Sequence, residues 1–491
     1  MHGENGTADL QERLDEIERL GLSRRLRLVS GPQGPTVLLD GKPVLLLCSN
    51  NYLGLADHPQ VREAAAEAAM RWGVGAGASR LISGTMTVHR RLEERLAEFA
   101  RRQSCLLFGS GYLANLGAIG ALAGRGDVVY SDELNHASIV DGCRLSRAEV
   151  VVYRHRDAEH LLWCMRRHGG RRNDPAARQL IVTDSIFSMD GDLAPLEEIV
   201  QLAQAGGARV LVDEAHAIGT FGPGGRGALA DAGLEGEVDA IVGTLGKSLG
   251  SYGAYVCGDE EMTRYLLNSA RSFIFSTAPP PPAAAGALAA LEMLEQRPHR
   301  VERLAANARA LRRSLAAEGF DVPDGDMHIV PLIVGDERDT VSLCQAALEQ
   351  GVFAQAIRPP TVPAGTSRLR LAAMASHTAS DMRLAAGVLA GAARKLGLEP
   401  AAIGSPPEPE PRHEGEPGDE GRATEREPYE IRVSARAASN PPPSAPFDIE
   451  APRPRRPPAP TTAPAADAAD ASDASGVPFD GEREGTVAHA A

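Results

Sequence analysis

The chain is 491 residues long, 43% hydrophobic and only 4% aromatic, enough for one large and one smaller domain with cores built mainly from Leu, Val, Ile and Ala. Its formal charge is −14, of which residues 401–491 carry −8 (17 Asp and Glu against 9 Arg), leaving −6 on the first 400. No basic stripe marks a nucleic-acid partner, no apolar run reaches the length of a membrane span, and the polar N-terminus has no signal-peptide pattern, so a cytoplasmic protein without membrane or nucleic-acid contacts is expected.

In chain order, the pattern predicts a helix over Ala8–Gly21 and then a hairpin, TVLLDGKPVLLLCSNNY, running into a loop. From about residue 56 helix and strand alternate. The short apolar runs SCLLF, DVVYS, EVVVYRH, QLIVTDS, RVLVDEAH and DAIVGTLG read as strands. The segments GYLANLGAIGALAG, HASIVDGCRLS, EHLLWCMRRHG and LEEIVQLAQAGG read as helices between them. Such alternation implies an α/β fold, a mostly parallel sheet covered by helices on both faces. SYGAYVCGD follows a strand without an intervening helix, so one strand is expected to be antiparallel.

The proline run APPPPAAAG at 278–286 is read as the end of this pattern. A single long helix, from AALEMLEQ through LRRSLAAEGF, then leads to HIVPLIVG, VSLCQAALEQG, RLRLAAM and a last helix, a smaller α+β domain. From Pro400 the composition changes: 17 of the 35 prolines lie in the last 91 residues, without periodic apolar positions. The expected division is therefore an N-terminal helix and hairpin (1–55), a large domain (56–286), a small domain (287–399) and a disordered tail (400–491). The six cysteines are scattered without a CxxC pair, which suits buried free thiols.

Lysine is nearly absent: only Lys42, Lys247 and Lys395 occur, against 48 arginines among 51 basic residues. Lys42 reads as part of an exposed turn and Lys395 as a cation suited to a helix C-terminus. Lys247 has no such explanation, because it follows the apolar run DAIVGTLG.

In an open α/β sheet, ligands bind beyond the carboxyl ends of the strands. The residues there are Ser110, Gly111 and Tyr112 after SCLLFG, His136 after VVYS, Ser185 and Ser188 after QLIVTD, Asp213 and His216 in VDEAH, and Thr244 and Lys247 in GTLGK. Singly, each has a bland reading as turn, cap or ion-pair residue. Together they match what pyridoxal phosphate requires. GSGYLAN offers backbone donors at a helix N-terminus for the phosphate. Asp213, at the end of an apolar strand, can keep the pyridine nitrogen protonated. Lys247 can supply an amine that is neutral part of the time.

The blocks SNNYLGL, GASRLISG, LFGSGYLAN, DELNHASIVDG, DSIFSMDGD, VLVDEAHAIGTFG, GTLGKSLG, FIFST and GTSRLRL, in this order over about residues 10–397, resemble the α-oxoamine synthases. These are pyridoxal-phosphate transferases of fold type I that condense an amino acid with an acyl thioester and release CO2. The resemblance implies that Lys247 carries the cofactor as a Schiff base and later exchanges the substrate's Cα proton. It places Asp213 on the pyridinium, His136 over the ring, Ser188 and His216 near the phenolic oxygen, and Gly111, Tyr112 and Thr244 at the phosphate. Ser276 and Thr277 are similar to a segment that reaches the phosphate of a second subunit, which implies a homodimer with shared sites. Arg370, with Asn50, matches the group that grips the amino acid's carboxylate. GASRLISG is similar to the branch that joins L-alanine to a pimeloyl thioester, carried by CoA or by a carrier protein, in biotin synthesis, which implies that its Arg80 binds substrate. No metal site is expected. Glycine acetyl transfer, transamination, and an inactive scaffold acting through the tail are the alternatives.

Overall fold

Short apolar strands separated by amphipathic helices build a central sheet, as the alternation predicts. The computed structural model describes residues 4–169 and 177–404. The chain opens with a helix, Glu4–Arg19, longer at its start than expected, and three short strands, β1 (Val29–Ser30), β2 (Thr36–Leu39) and β3 (Lys42–Leu46). In the hairpin of β2 and β3, Leu39 lies opposite Lys42. Asp40 and Gly41 between them both have positive φ, 48° and 80°, the conformation that a two-residue Asp-Gly turn supplies cheaply.

The main sheet is formed by β4 (Ser104–Phe108), β5 (Val128–Asp132), β6 (Glu149–Tyr153), β7 (Gln179–Asp184), β8 (Arg209–Asp213), β9 (Ala240–Thr244) and β10 (Ala254–Gly258), in the order β4-β10-β9-β8-β7-β5-β6. Strands β6, β5, β7, β8 and β9 pair in parallel, and β10 is antiparallel to both β9 and β4. With no crossover helix after β9, the chain can only turn back on itself. Along β7, Leu180 and Val182 join one apolar cluster with Val129, Leu211 and Val242. Ile181 joins the other, with Tyr130, Val212 and Ile241. Fully buried aliphatic side chains contribute about 1.5–3 kcal/mol each and exposed ion pairs about 0–1 kcal/mol, so two-sided burial, not the surface charge, holds the sheet.

Beyond the sheet come β11 (Ile329–Gly335), β12 (Val352–Phe353), β13 (Gln355–Ile357) and β14 (Ser367–Ala372). β14 lies between β11 and β13, antiparallel to both, whereas β12 pairs in parallel with β3. Val37, Leu45 and Leu47 therefore share a core with Leu332, Val352, Leu371 and Leu389.

Three expectations are corrected here. The single long helix is two, Pro281–Gln296 and His299–Ala317. The break falls at Arg297, whose backbone (φ −134°, ψ 60°) is not helical because Pro298 disfavours a helical residue before it. The proline run does not end the pattern either: Pro281 opens the first of these helices, where a missing N–H leaves no bond unmade. The start of the expected tail also moves. Residues 400–404 pack onto the fold, with Ile403 buried and its carbonyl accepting the Asp321 N–H at 3.1 Å. The remainder of the tail, from 405 onward, lies outside the described residues. Among the described residues no helix is long and apolar enough to cross a membrane.

Candidate active site

The carboxyl ends of β5, β7, β8 and β9 deliver His136, Ser188, His216 and Lys247 to one cavity, lined also by Cys48, Asn50, Met189, Gln355, Ile357 and Arg370. Four of the strand-end residues expected from sequence, His136, Ser188, His216 and Lys247, thus converge. Arg370 joins it from β14 and Asn50 from the loop after β3.

A chain of hydrogen bonds crosses this cavity. Lys247 Nζ is 2.8 Å from His216 Nε2, and His216 Nδ1 is 2.8 Å from the Tyr52 hydroxyl. Tyr52 donates to Asn50 Oδ1 (2.9 Å) and accepts from Arg370 Nη2 (3.0 Å). Arg370 also donates through Nη1 to Asn50 Oδ1 (3.3 Å) and through Nε to the Ser188 carbonyl. Because Tyr52 has one proton, committed to Asn50, His216 must donate from Nδ1 and accept at Nε2. Burial, with Lys247 and Arg370 nearby, holds His216 well below the usual imidazole range, so it stays neutral. Burial also pushes the Lys247 amine down to about 8, against the pull of the Asp213 and Asp184 carboxylates.

Asp213, at the end of β8, is anchored by two donors: Asn115 Nδ2 to Oδ2 (2.7 Å) and the Ala215 N–H to Oδ1 (2.8 Å). Asn115 also donates to Ser138 Oγ (2.8 Å), and that hydroxyl meets His136 Nδ1 at 2.7 Å. Nδ1 also accepts the Ser138 N–H at 3.3 Å, so the ring proton sits on Nε2, and burial lowers the histidine's affinity for a second proton. Asp184, paired in register with Asp213 on β7, accepts the His136 N–H at 2.7 Å. Burial first and the Asp213 charge second raise its proton affinity well above the ordinary carboxylate's.

Other expected residues lie apart from the cavity lining. Gly111 opens the helix Gly111–Leu122, capped by Ser110, which accepts the Leu113 N–H at 3.3 Å; a Cβ at Gly111 would meet nothing within 4 Å. Thr244 stands across Ala254 from Phe108, so it shares the sheet edge with this helix N-terminus. Tyr112 points away, its hydroxyl bonded to Asp141. Arg80 is buried in a two-pronged ion pair with Glu93 (2.8 and 3.0 Å). Ser276 and Thr277 belong to a segment bridged to Ser79, with Thr277 and Phe275 exposed.

Sequence reasoning missed Tyr52, Asn115, Asp184, Cys48, Met189, Gln355 and Ile357. Asp184 carries the same signal as Asp213, a carboxylate ending an apolar strand. Asn115 could have been found as an amide within the apolar helix GYLANLGAIGAL. Gln355 and Ile357 sit on a three-residue strand that leaves no sequence signature. Among the described residues all six cysteines are free, but only five are buried; Cys48 lines the cavity.

These residues fit pyridoxal phosphate. They present a lysine of lowered proton affinity, a twice-anchored carboxylate within its electrostatic reach, a neutral histidine whose Nδ1 is already engaged, and a helix N-terminus with open space at Gly111. No cluster of metal-ligating side chains occurs among the described residues.

Residues 42–389 match the family model for aminotransferase class I and II. The 8-amino-7-oxononanoate synthase of Geobacter metallireducens is 50% identical over 79% of this chain and 98% of its own, and that of Geobacter sulfurreducens 49% identical over 80% and 100%. Among solved structures, serine palmitoyltransferase from S. paucimobilis with a bound PLP–myriocin aldimine is 35% identical, with a TM-score of 0.74 over 79% of this chain and 98% of that one. Serine palmitoyltransferase from Sphingomonas wittichii is 33% identical, also with a TM-score of 0.74. The fold, the lysine-centred site and these likenesses agree: the chain belongs to the aminotransferase class I and II family, as a pyridoxal-phosphate-dependent α-oxoamine synthase of fold type I.

Proposed function

We propose that this enzyme condenses L-alanine with a pimeloyl thioester, of CoA or of a carrier protein, releasing the thiol and CO2 and forming 8-amino-7-oxononanoate for biotin synthesis. The observation that carries the reading is the arginine-centred corner of the cavity. Arg370, tied to Asn50, Tyr52 and the Ser188 carbonyl, presents an oriented guanidinium within the same cavity as the lysine amine. The half-identical relatives that carry this activity in their names support the choice of product.

Held by Lys247 until the amino acid's own amine takes that place and frees the lysine, pyridoxal phosphate would supply an electron sink for negative charge at the amino acid's Cα. The rest falls to the chain. Arg370 and Asn50 bind the substrate carboxylate, a planar match for a guanidinium fork. That contact fixes which Cα bond faces the lysine. Lys247, with its amine near 8, takes the Cα proton and returns one after CO2 has left. His216 receives the Nζ hydrogen bond without competing for the proton, because it is held neutral. Asp213, oriented by Asn115, would hold the cofactor's ring nitrogen. His136, in the cavity lining, would offer a flat face to the cofactor ring.

We further infer a cytoplasmic homodimer in which Ser276 and Thr277 complete the partner's phosphate site, and in which the backbone N–H groups of Gly111 and Tyr112, with Thr244, serve their own. The exposure of Thr277 and Phe275, away from this chain's own cavity, supports that arrangement. Arg80 acts through Glu93, shaping the segment that presents GASRLISG rather than touching substrate. A matrix of L-alanine, glycine and L-serine against pimeloyl, acetyl and palmitoyl thioesters, scored for thiol release, tests the reading. Highest kcat/KM is expected for alanine with the pimeloyl thioester, and amino-group transfer without thiol release would overturn it.

A further inference from the structure

Next to the cavity, one histidine is bonded at both ring nitrogens to carboxylates. His155, just beyond β6, has Nδ1 2.9 Å from Asp132 Oδ1 and Nε2 2.9 Å from Asp192 Oδ2. Its backbone N–H is held by Glu133 Oε1 at 3.0 Å, and the Phe187 ring meets it edge-on at 4.3 Å between centroids. Asp132 is itself fixed at the end of β5, accepting the N–H groups of Leu134 (2.8 Å) and Arg156 (2.9 Å). Asp192 also receives Arg156 Nη1 at 3.2 Å.

Asp192 belongs to the loop that carries Ser188. The loop is closed on itself by Phe187 N–H to the Asp192 carbonyl (3.0 Å), Gly191 N–H to the Phe187 carbonyl (2.8 Å) and Ala194 N–H to the Ser185 carbonyl (2.9 Å). Its far side is docked on β14, through Asp190 to Arg368 and through the Ser188 carbonyl to Arg370. Gly191 has φ 73°, and a Cβ there would lie 2.7 Å from the Ile329 carbonyl, so the loop also packs tightly against β11. It is therefore suspended between two anchors: the β5–β6 end, through His155, and the strand that bears Arg370.

We propose that His155 is a positioning residue for the amino-acid substrate: clamped between Asp132 and Asp192, it fixes the 185–194 loop so that the Ser188 carbonyl holds Arg370 at the angle that reads the substrate carboxylate. This rests on Arg370 being the carboxylate-binding group. Burial alone would lower the proton affinity of His155, but the bonds and charges of Asp132 and Asp192 outweigh it and push the ring up to about 10. The clamp is thus an imidazolium donating from both nitrogens, which a neutral amide cannot reproduce. The loop's contacts run to Arg370 and Arg368, so the effect should fall on the amino acid and spare the acyl donor.

The test compares the cofactor-loaded wild type with His155→Gln and with Asp192→Asn, the second keeping shape while removing the loop's charge. L-alanine is titrated into each and followed by the visible absorbance of the bound cofactor; thermal melts, kcat and the KM for the acyl thioester are measured alongside. Expected are a Kd for alanine raised about tenfold in both variants, as for displaced positioning groups, with kcat at saturating alanine and the acyl-donor KM within about twofold of wild type. An unchanged alanine Kd in either cooperatively melting variant would overturn the proposal, as would an equal rise in Kd and acyl-donor KM. Wild type that binds alanine but releases no thiol from any thioester would end the condensation reading and leave this inference standing. Wild type that binds no amino acid would end the Arg370 assignment and the inference with it.

Discussion

Lys247 Nζ stands 2.8 Å from His216 Nε2, and the other nitrogen of that ring is 2.8 Å from the Tyr52 hydroxyl, which accepts from Arg370. The group proposed to move the Cα proton and the group proposed to hold the carboxylate are thus joined through one neutral histidine and one phenol.

Lys247→Ala should abolish covalent attachment of the cofactor. Lys42 and Lys395 are both exposed, and neither lines the cavity. Borohydride treatment followed by peptide mass mapping should find the cofactor on the 247 peptide of wild type and on no peptide of the variant. A trapped adduct elsewhere in the variant would show that a different amine carries it.

The rate of cofactor attachment to the apo-enzyme should rise with pH up to about 8 and then level off. Only the neutral amine is a nucleophile, and burial sets its protonation midpoint near 8 instead of 10.5. A lysine left at its ordinary value would still be gaining rate at pH 9–10. Stopped-flow absorbance between pH 6.5 and 9.5 distinguishes the two, and the absence of a plateau would mean that the site solvates Lys247 more than its surroundings suggest.

Asn115→Ala should loosen Asp213. The amide gives the carboxylate a charge-assisted bond, worth about 1.5–3 kcal/mol. Its own oxygen, however, is buried without a partner, so its removal relieves part of that loss. The net cost in the cofactor-free protein should be about 1–2 kcal/mol, read from denaturant melts, and cofactor retention on dilution should fall in parallel. Asn115→Asp should be worse than Asn115→Ala, because a third carboxyl group would join Asp213 and Asp184 in one buried cluster.

Legibility followed physics. β7, β8 and β9 could be read because both faces of a parallel sheet are buried and leave unbroken apolar runs, and their strand-end residues follow from the direction of the chain. Asp213, His216 and Lys247 were therefore visible. The cavity's other wall was not. Gln355 and Ile357 lie on a strand of three residues held by pairing with β14, and Tyr52 on an irregular loop, so tertiary contacts and not local pattern place them. The helix break at Arg297 was legible in principle, since Pro298 announces it, but the periodicity on both sides obscured it. Tyr112 followed the strand-end rule and still turned outward to Asp141, because the rule locates a backbone and leaves the rotamer free.

Removing residues 405–491 should leave the melting temperature and turnover unchanged, since that composition offers little apolar surface to bury. Cutting six residues earlier, after Leu398, should not be neutral. It removes Ile403, 3% exposed in the core, and the backbone bonds of 403 and 404 to Asp321 and Ile333. Loss of a buried aliphatic side chain costs about 2–5 kcal/mol, enough to lower the melting temperature by several degrees. Equal melts for the two truncations would mean that the 400–404 turn does not contribute to the folded core in solution.

Arg370→Ala should raise the KM of every amino acid by a similar factor, because all present the same carboxylate. The loss of one charge-assisted contact predicts about tenfold or more. The ranking of acyl donors should survive, since no acyl group needs the guanidinium. Arg370→Lys should recover little, because an ammonium cannot donate at once to the Asn50 oxygen, the Tyr52 hydroxyl and the Ser188 carbonyl while presenting two parallel N–H groups to the substrate. The preference for alanine over glycine should persist in the residual activity of both variants. It depends on space for one methyl group, worth about 1–3 kcal/mol, and not on the carboxylate. If Arg370→Ala instead erased the alanine preference while leaving glycine untouched, the guanidinium would be shaping the methyl pocket, and the carboxylate would have to be held by another group.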